Sequence, residues 1–356
     1  MLDLPGRVAR LTGAARTRAD RLLDVRASTG RTDPPPELEG WLRRTFGSVE
    51  AVREQPLVKV TNLATLEATL FAPLRGRRPI DADGDPASLA GEVAETRGGP
   101  FCHPETGTPA DTFGRVRGDH VVTGANAALA DTHHAVLVFD THDPLAFDAD
   151  RVRDVLATGR AWAERAHDED REAANYLLVW NCLWRAGGSI VHGHAQALLG
   201  RGPHYARLER FRRDAASYAA IHRAALPDDL VALHRDLDLA VDGERGVTTL
   251  AHVTPIKERE VLVVGPAEMD ERDPAFGDAV GAALVALRDR MRVRSFNLAL
   301  WRPPLADASG WEGLGPLVRI VDRGDPASRA SDIGAMELYG TPVVGSDPWE
   351  VVASLR

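Results

Sequence analysis

The chain has 356 residues, of which 44% are hydrophobic and 27% are charged, so it can bury the core of one large domain or two ordinary ones. This mix is too apolar for a disordered chain. The 43 basic and 52 acidic residues give a formal net charge of −9. That balance argues against a general nucleic-acid partner, but it leaves room for a local basic pocket around one phosphate ligand.

The two cysteines, Cys102 and Cys182, are too few for a disulfide framework and fit a reducing compartment. No apolar run approaches the roughly 18 residues that a membrane-spanning helix needs. The N-terminal segment lacks the continuous apolar stretch of a secretory signal. We therefore expect a cytoplasmic protein with no membrane partner.

The hydrophobic pattern predicts an amphipathic helical segment over 1–55, then alternating strands and helices. A basic turn occupies 73–79, and 80–118 has the Gly, Pro, Asp and Thr content of a long loop. The predicted strands are two within 57–72, then 133–140, 176–181, 190–200, 247–253, 260–265 and 295–301. The predicted helices are 148–168, 205–225, 274–291 and a short one near Asp347. Strand-helix-strand units occur twice, which suggests two similar halves.

The most informative stretch is His192-Gly193-His194-Ala195-Gln196. If it lies within strand 190–200, alternation places His192, His194 and Gln196 on one face and small residues on the other. Two imidazoles and an amide on one face suit metal ligation or attack by an imidazole on phosphorus. A neutral histidine is a good nucleophile near pH 7, because its ordinary pKa is about 6.5. Two structural histidines would give the same pattern.

Polar residues elsewhere favour a phosphate ligand. Asn181, Gly188 and Ser189 form a small, polar approach to the strand, in which glycine lets the backbone come close to a phosphate and serine can donate to its oxygens. Arg75 and Arg78 lie in the basic turn. Guanidinium groups are the usual partners of a diphosphate, although exposed arginines would give the same sequence.

Three segments resemble the galactose-1-phosphate uridylyltransferase family, within the histidine-triad superfamily of nucleotidyl transferases and hydrolases. TNLATLEATLFAPLRGRRP (61–79) is similar to the family's N-P-L-T…S-P-H-R-x-x-R-P segment. FDTHDPLAFDADRVRDVLATGRAW (139–162) resembles its strand, turn and helix. WNCLWRAGGSIVHGHAQ (180–196) resembles its active-site run, and a weaker similarity continues to about residue 350.

The resemblance implies a role for each candidate residue. His194 is the nucleophile that takes the nucleoside monophosphate, and Gln196 binds the transferred phosphoryl group. His192 orients the site or helps to bind a structural metal. The residues that contact the nucleotide phosphates are Asn181, Gly188, Ser189, Arg75 and Arg78.

The resemblance also implies an α+β fold of two histidine-triad-like halves, each a curved, mostly antiparallel sheet with flanking helices. The corresponding domains are an N-terminal helical extension, 1–55, a catalytic half, 56–203, and a second half, 204–356. Family members are typically homodimers, so we expect a homodimer here.

The sequence departs from the family at its metal site. Many members bind zinc through a C-x-x-C pair and two histidines, but Gly99 stands where the first cysteine is expected. Cys102, His142 and His192 remain as three possible zinc ligands, with His103 a possible fourth. The chemistry itself requires no cofactor. A second departure is Gly193, which replaces the family's proline between the two histidines.

A further departure concerns the acceptor. The family's C-terminal histidine cluster is absent, and LVRIVDRGDPASRASD (317–332) stands in its place. This puts galactose 1-phosphate in question as the acceptor. Arg319, Arg323 and Arg329 could bind another acceptor phosphate, or they could be ordinary exposed arginines.

The leading hypothesis is a nucleotidyltransferase that moves a nucleoside monophosphate from a nucleoside diphosphate sugar to a sugar phosphate or phosphate, through a covalent nucleotidyl-histidine at His194. With inorganic phosphate or water as acceptor, the same histidine would make a phosphorylase or hydrolase of nucleotide sugars or dinucleoside polyphosphates. The same residues would also suit a nucleotide-binding protein without turnover, or a metal hydrolase built on His192 and His194.

Overall fold

Two β-sheets and the helices around them form the protein, in a computed structural model that describes residues 1–77, 88–306, 309–328 and 333–356. The described strands are β1 Leu23–Arg31, β2 Glu54–Asn62, β3 Ala68–Phe71, β4 Val121–Ala125, β5 His133–Phe139, β6 Ala173–Cys182, β7 His194–Arg201, β8 Ala240–Asp242, β9 Thr248–Ala251, β10 Val261–Val264, β11 Phe296–Trp301, β12 Leu317–Asp322 and β13 Val343–Val344. The described α-helices are α1 Leu4–Arg10, α2 Gly13–Leu22, α3 Glu39–Phe46, α4 Glu50–Arg53, α5 Ser88–Glu95, α6 Pro104–Gly107, α7 Ala149–Glu169, α8 Ala206–His222, α9 Leu226–Asp236, α10 Pro274–Asp289 and α11 Pro348–Leu355.

The larger sheet is antiparallel, with the order β4-β5-β7-β6-β11-β12-β10-β9-β8. Its two halves follow the same path, since β5-α7-β6-β7 in the first corresponds to β10-α10-β11-β12 in the second. The halves meet where β6 pairs with β11. The β6–β11 pairing joins the two halves into one continuous sheet. The arrangement of sheets and helices confirms the predicted α+β class. A smaller sheet, β1-β2-β3-β13, lies beside it.

Helices α7 and α10 cover one face of the large sheet and form the core with it. They approach each other closely at Gly281 of α10. A Cβ there would lie only 2.9 Å from the Cα of Ala149 at the start of α7, so the contact requires glycine. Ala195 and Ala197 point into this core and have no exposed surface. That confirms the predicted inward face of their strand, so Gln196 must point to the opposite face.

Two predictions of local structure outside the predicted strand 190–200 were wrong. Residues 23–31, expected to be helical, form strand β1, which pairs with β2 from Leu23 opposite Asn62 to Arg31 opposite Glu54. The expected loop 80–118 contains helix α5 in its described part. Strand pairing is a non-local contact, and periodicity within a segment does not reveal it. The division into three domains stays a prediction.

Further elements had no counterpart in the prediction, namely β4, α6, β8, α9, β12 and β13. The remaining strands and long helices lie where the sequence placed them, within a few residues. Among the described helices, none combines the length and apolar character needed to cross a membrane.

Candidate active site

The strand expected to include His192 begins only at His194, since His192 and Gly193 form a bend before it. Strand alternation therefore does not apply to His192. The N–H of Gly193 donates to the His142 carbonyl at 3.2 Å. A Cβ on Gly193 would lie 2.7 Å from the Phe139 ring. A proline here would lose that hydrogen bond and overlap the ring, which accounts for glycine at this position.

His194 has a defined tautomer. Its Nδ1–H donates to the His192 carbonyl at 2.8 Å, so Nε2 of the neutral ring keeps its lone pair. The side chain is buried, and the Phe101 ring packs edge-on against it with 5.0 Å between ring centroids. Burial lowers the pKa of His194, and the hydrogen bond to the His192 carbonyl opposes that shift. The arrangement presents an unprotonated nitrogen, as a nucleophile requires.

Gln196 lies two residues further along the same face of β7. It pairs with Val136 of β5 and with Val179 of β6, so it sits in the interior of the sheet. Its Oε1 is 2.9 Å from Nε2 of His134, a buried residue of β5. Within the described part of the chain, no hydrogen bond uses the Nε2 amide group of Gln196.

Asn181 reaches the same face from β6. It lies two residues beyond Val179, and it pairs across the sheet with Asn297 of β11. Asn297 Nδ2 donates to Asn181 Oδ1 at 2.7 Å. The second half of the sheet therefore contributes a residue to this site. The sequence predicted a site built from the first half alone.

The loop between β6 and β7 folds back onto the end of β6. A Cβ on Gly188 would lie 2.7 Å from the Asn181 carbonyl and 3.0 Å from that of Leu183, so only glycine fits without a shift. Ser189 follows directly and is exposed. Gly188 and Asn181 are thus brought together, with Ser189 at the open side of the loop.

Cys102, His142 and His192 converge with all three donor atoms within 4.8 Å of one another. Cys102 Sγ is 3.2 Å from His142 Nδ1 and 3.6 Å from His192 Nδ1, and the two Nδ1 atoms are 3.2 Å apart. Each imidazole uses its Nε2 on a backbone carbonyl, His142 on Val93 at 2.7 Å and His192 on Phe139 at 3.1 Å. Both Nδ1 atoms are therefore free to bind a metal ion. His103 is exposed and lies outside this group.

Arg75 and Arg78 are not brought to this site by the described residues. Arg75 is exposed on a short 3₁₀ turn, Pro73–Arg77, beside β13. No hydrogen bond or ion pair in the described parts of the chain links it to His194 or Gln196. Arg78 lies outside the described residues, as does Arg329. The substrate-binding roles of Arg75 and Arg78 stay predictions.

Arg319 is occupied by other side chains and is not an exposed arginine. Its Nε donates to Glu260 at 2.7 Å and its Nη1 to Glu67 at 2.7 Å, and it is only 7% exposed. Burial raises the pKa of Glu260, but the charges of Arg319 and His252 outweigh burial and lower it to about 2. A guanidinium held by two carboxylates is a poor receptor for a phosphate, so Arg319 does not fit the acceptor-binding role considered above. Arg323 lies behind the candidate site, where its Nη1 donates to Oδ1 of Asn297.

Sequence reasoning did not identify three residues of the site, His134, Asn297 and Phe101. Their strands were predicted for the first two, and the alternation that singled out Gln196 would also have placed His134 on one face of its own strand. The sequence does not show which strands lie next to each other in the sheet, so neither contact could be inferred. Phe101 is one residue before a candidate metal ligand, and nothing in its local pattern separates it from a core residue.

Known proteins resemble this chain in structure only. No protein-family model matches the sequence, and no curated protein matches it. The ADP-glucose phosphorylase of Arabidopsis thaliana, solved with bound ADP-glucose, gives a TM-score of 0.63 at 15% identity, covering 83% of this chain and 97% of that one. A GALT-like protein from Arabidopsis thaliana gives 0.59 at 15% identity, covering 73% and 92%. A uridylyltransferase gives 0.56 at 16% identity, covering 70% and 87%. The resemblance to the galactose-1-phosphate uridylyltransferase family is therefore confirmed at the level of the fold.

Proposed function

We propose that the protein is a nucleotidyltransferase that moves a nucleoside monophosphate from a nucleoside diphosphate sugar to a sugar phosphate or phosphate. One observation carries this proposal. His194 is a buried, neutral imidazole whose Nδ1–H is held by the His192 carbonyl, so that Nε2 offers a lone pair beside the amide of Gln196. Histidine nucleophiles need this combination of tautomer, fixed orientation and adjacent donor.

The reaction has two balanced steps. His194 Nε2 attacks the α-phosphorus, forming a P–N bond, while the bond from phosphorus to the bridging oxygen breaks and the sugar 1-phosphate leaves with the electron pair. An oxygen of the acceptor phosphate then attacks the same phosphorus, and the P–N bond breaks to restore the lone pair on Nε2. The imidazole gains and loses no proton overall. Two successive displacements through one intermediate predict ping-pong kinetics.

The neighbouring groups would bind the phosphates. Amide N–H groups of Gln196 and Asn181 donate to phosphoryl oxygens, and the Gly188–Ser189 backbone allows a close approach. Arg75 and Arg78 would supply positive charge to the diphosphate. Since no described contact of Arg75 reaches His194 within one chain, we propose that Arg75 acts across the predicted homodimer, in which one copy completes the site of the other.

We propose zinc as a structural group held by Cys102, His142 and His192. The donor separations of 3.2, 3.2 and 3.6 Å match the edges of a tetrahedron with bonds of about 2.0–2.3 Å. Bound zinc would fix the bend that carries the His192 carbonyl, and so the tautomer of His194. Gly99 supplies no side-chain ligand, so the described residues that would hold the ion are these three alone.

The second candidate is a phosphorylase or hydrolase of nucleotide sugars or dinucleoside polyphosphates, with inorganic phosphate or water as the acceptor. The observation that favours it is Arg319, whose guanidinium is taken up by Glu67 and Glu260. A site without this free cation holds any phosphate-bearing acceptor less firmly, so the observation favours water, and therefore the hydrolase, most. Product analysis with and without inorganic phosphate separates the two candidates.

The experiment is intact-protein mass spectrometry after mixing with nucleoside diphosphate sugars and dinucleoside polyphosphates, with His194→Ala as the control. We expect a mass gain of one nucleoside monophosphate in the wild-type protein and none in the variant. An adduct that persists in His194→Ala, or binding without any adduct or turnover, would contradict the covalent mechanism. Metal analysis of wild type and Cys102→Ser tests the zinc site: we expect about one equivalent of zinc in the former and a clear loss in the latter.

A further inference from the structure

The candidate site contains two side-chain amides, Gln196 and Asn181. Whether each attracts or repels a phosphate depends on which of its atoms faces the ligand. Each has an oxygen that accepts hydrogen bonds and a nitrogen that donates them. An amide that turns its nitrogen toward a phosphate attracts it, and one that turns its oxygen repels it. Some feature of the fold must therefore decide which atom faces the ligand.

For Gln196, the deciding contact is His134. The backbone N–H of Ala130 donates to His134 Nδ1 at 3.1 Å, so this nitrogen carries no proton in the neutral ring. The proton is then on Nε2, which lies 2.9 Å from Gln196 Oε1. Asn126 Nδ2 lies 3.3 Å from the same Nε2, but an amide nitrogen cannot accept that proton. His134 therefore donates to the oxygen of Gln196 and leaves the amide nitrogen for a ligand.

For Asn181, the deciding contact is Asn297. The guanidinium of Arg323 has only donors, so the oxygen of Asn297 must face it. Asn297 Nδ2 then points the other way and donates to Asn181 Oδ1 at 2.7 Å and to the Ala186 carbonyl at 2.8 Å. Asn181 is left with its own Nδ2, for which no partner exists among the described residues.

Both chains of hydrogen bonds begin at a group that can only donate, a backbone N–H in one case and a guanidinium in the other. Both end on an amide of the same sheet face, one from β7 and one from β6. We infer that His134 and Asn297 are positioning residues, which turn the amide nitrogens of Gln196 and Asn181 toward the phosphoryl oxygens of one nucleoside diphosphate group. This inference rests on the proposed function, because it concerns how the same site recognises its ligand.

The first test compares His134→Phe with His134→Gln. Phenylalanine keeps the ring volume but removes both nitrogens, whereas glutamine keeps a donor near the position of Nε2. We expect His134→Phe to weaken ADP and UDP binding about tenfold and to slow adduct formation, and we expect His134→Gln to retain most of both. A purely structural role predicts the reverse, because the apolar ring packs better in a buried position. Calorimetric titration with ADP and UDP measures the affinities, and thermal melting reports folding.

The second test is a pair of double-mutant cycles, His134→Phe with Gln196→Ala, and Asn297→Ala with Asn181→Ala. If each positioning residue acts through its amide, the double variant binds ADP or UDP no more weakly than the amide variant alone. Additive losses would overturn the inference, as would wild-type affinity in both His134→Phe and Asn297→Ala. These outcomes differ from a failure of the proposed function, in which the wild-type protein binds no nucleoside diphosphate and forms no adduct, and the inference falls with it.

Discussion

The two halves of the large sheet share one strand path and one helix-covered face, yet their opposite faces carry different chemistry. In the first half, His194, Gln196 and Asn181 each use one polar atom on the protein and keep another for a ligand. In the second half, Arg319 and Glu260 lie on the equivalent face and form hydrogen bonds and an ion pair with each other.

The difference shows that a duplicated scaffold does not duplicate a site. Hydrogen-bonding groups that satisfy one another stabilise the fold, whereas groups left half-satisfied are available to a ligand and contribute less to stability. Replacing polar residues of the first half should therefore weaken ligand binding with little loss of stability. Replacing polar residues of the second half should lower the stability of the fold. The following substitutions test that contrast, in order of decreasing expected effect on stability.

Arg319→Met should destabilise the protein by about 3–5 kcal/mol, because it leaves the buried carboxylate of Glu260 and the half-buried carboxylate of Glu67 without their shared cation. Urea unfolding at pH 7.5 measures the change. Arg43→Met is the matched control, since Arg43 makes an ion pair with Glu39 at 3.2 Å on the surface. That variant should change the unfolding free energy by less than about 0.5 kcal/mol. Equal losses in both variants would contradict the contrast.

The second half should also lose stability in acid through His234. Burial first, then the neighbouring His252, lowers the pKa of His234 to about 3. The native state therefore keeps this ring neutral, while the unfolded chain binds a proton below about pH 6.5. Stability from this residue is complete above pH 6.5 and is lost as the pH falls toward 3.

The measurement is the unfolding free energy at several pH values between 7 and 4. Below pH 6, wild type should lose about 1.4 kcal/mol per pH unit more than His234→Gln, since the variant has no proton to take up there. A His234→Gln slope equal to that of wild type would refute the assignment.

Gly193→Ala should cost about 1–3 kcal/mol, because its new Cβ would lie 2.7 Å from the Phe139 ring and 3.0 Å from the Thr141 carbonyl. The bend that holds His192 would shift, so zinc content should fall with stability. Thermal melting and metal analysis report the two effects. Gly91→Ala, on helix α5 with no atom within 4 Å of the new Cβ, should leave the zinc content unchanged and should not lower stability, because alanine favours a helix more than glycine does.

Gln196→Ala should have the smallest effect on stability, about 1 kcal/mol, because it removes a single hydrogen bond, the one to His134, from a half-buried position on the ligand face. ADP and UDP affinity should nevertheless fall about tenfold, since a donor to the phosphate is lost. A large loss of stability with little change in affinity would show that Gln196 has a structural role, as Arg319 does. That result would contradict the proposed difference between the two halves.

The sequence alone determined the elements that depend on local pattern. Periodicity located the long helices α7 and α10 and the central strands, and the alternation around Gln196 placed its neighbouring alanines in the core. The motif around His194 indicated the fold, because residues that are adjacent in the chain carry it.

Tertiary structure decided what depends on neighbours from distant parts of the chain. Strand β1 is a strand because β2 pairs with it, and Asn297 joins the site because β11 lies next to β6. Arg319 could be read as a phosphate receptor from the sequence, but Glu67, which is distant in the chain, neutralises it. Hydrogen-bond partners and burial are set by packing between segments, and the order of residues along one segment does not contain that information.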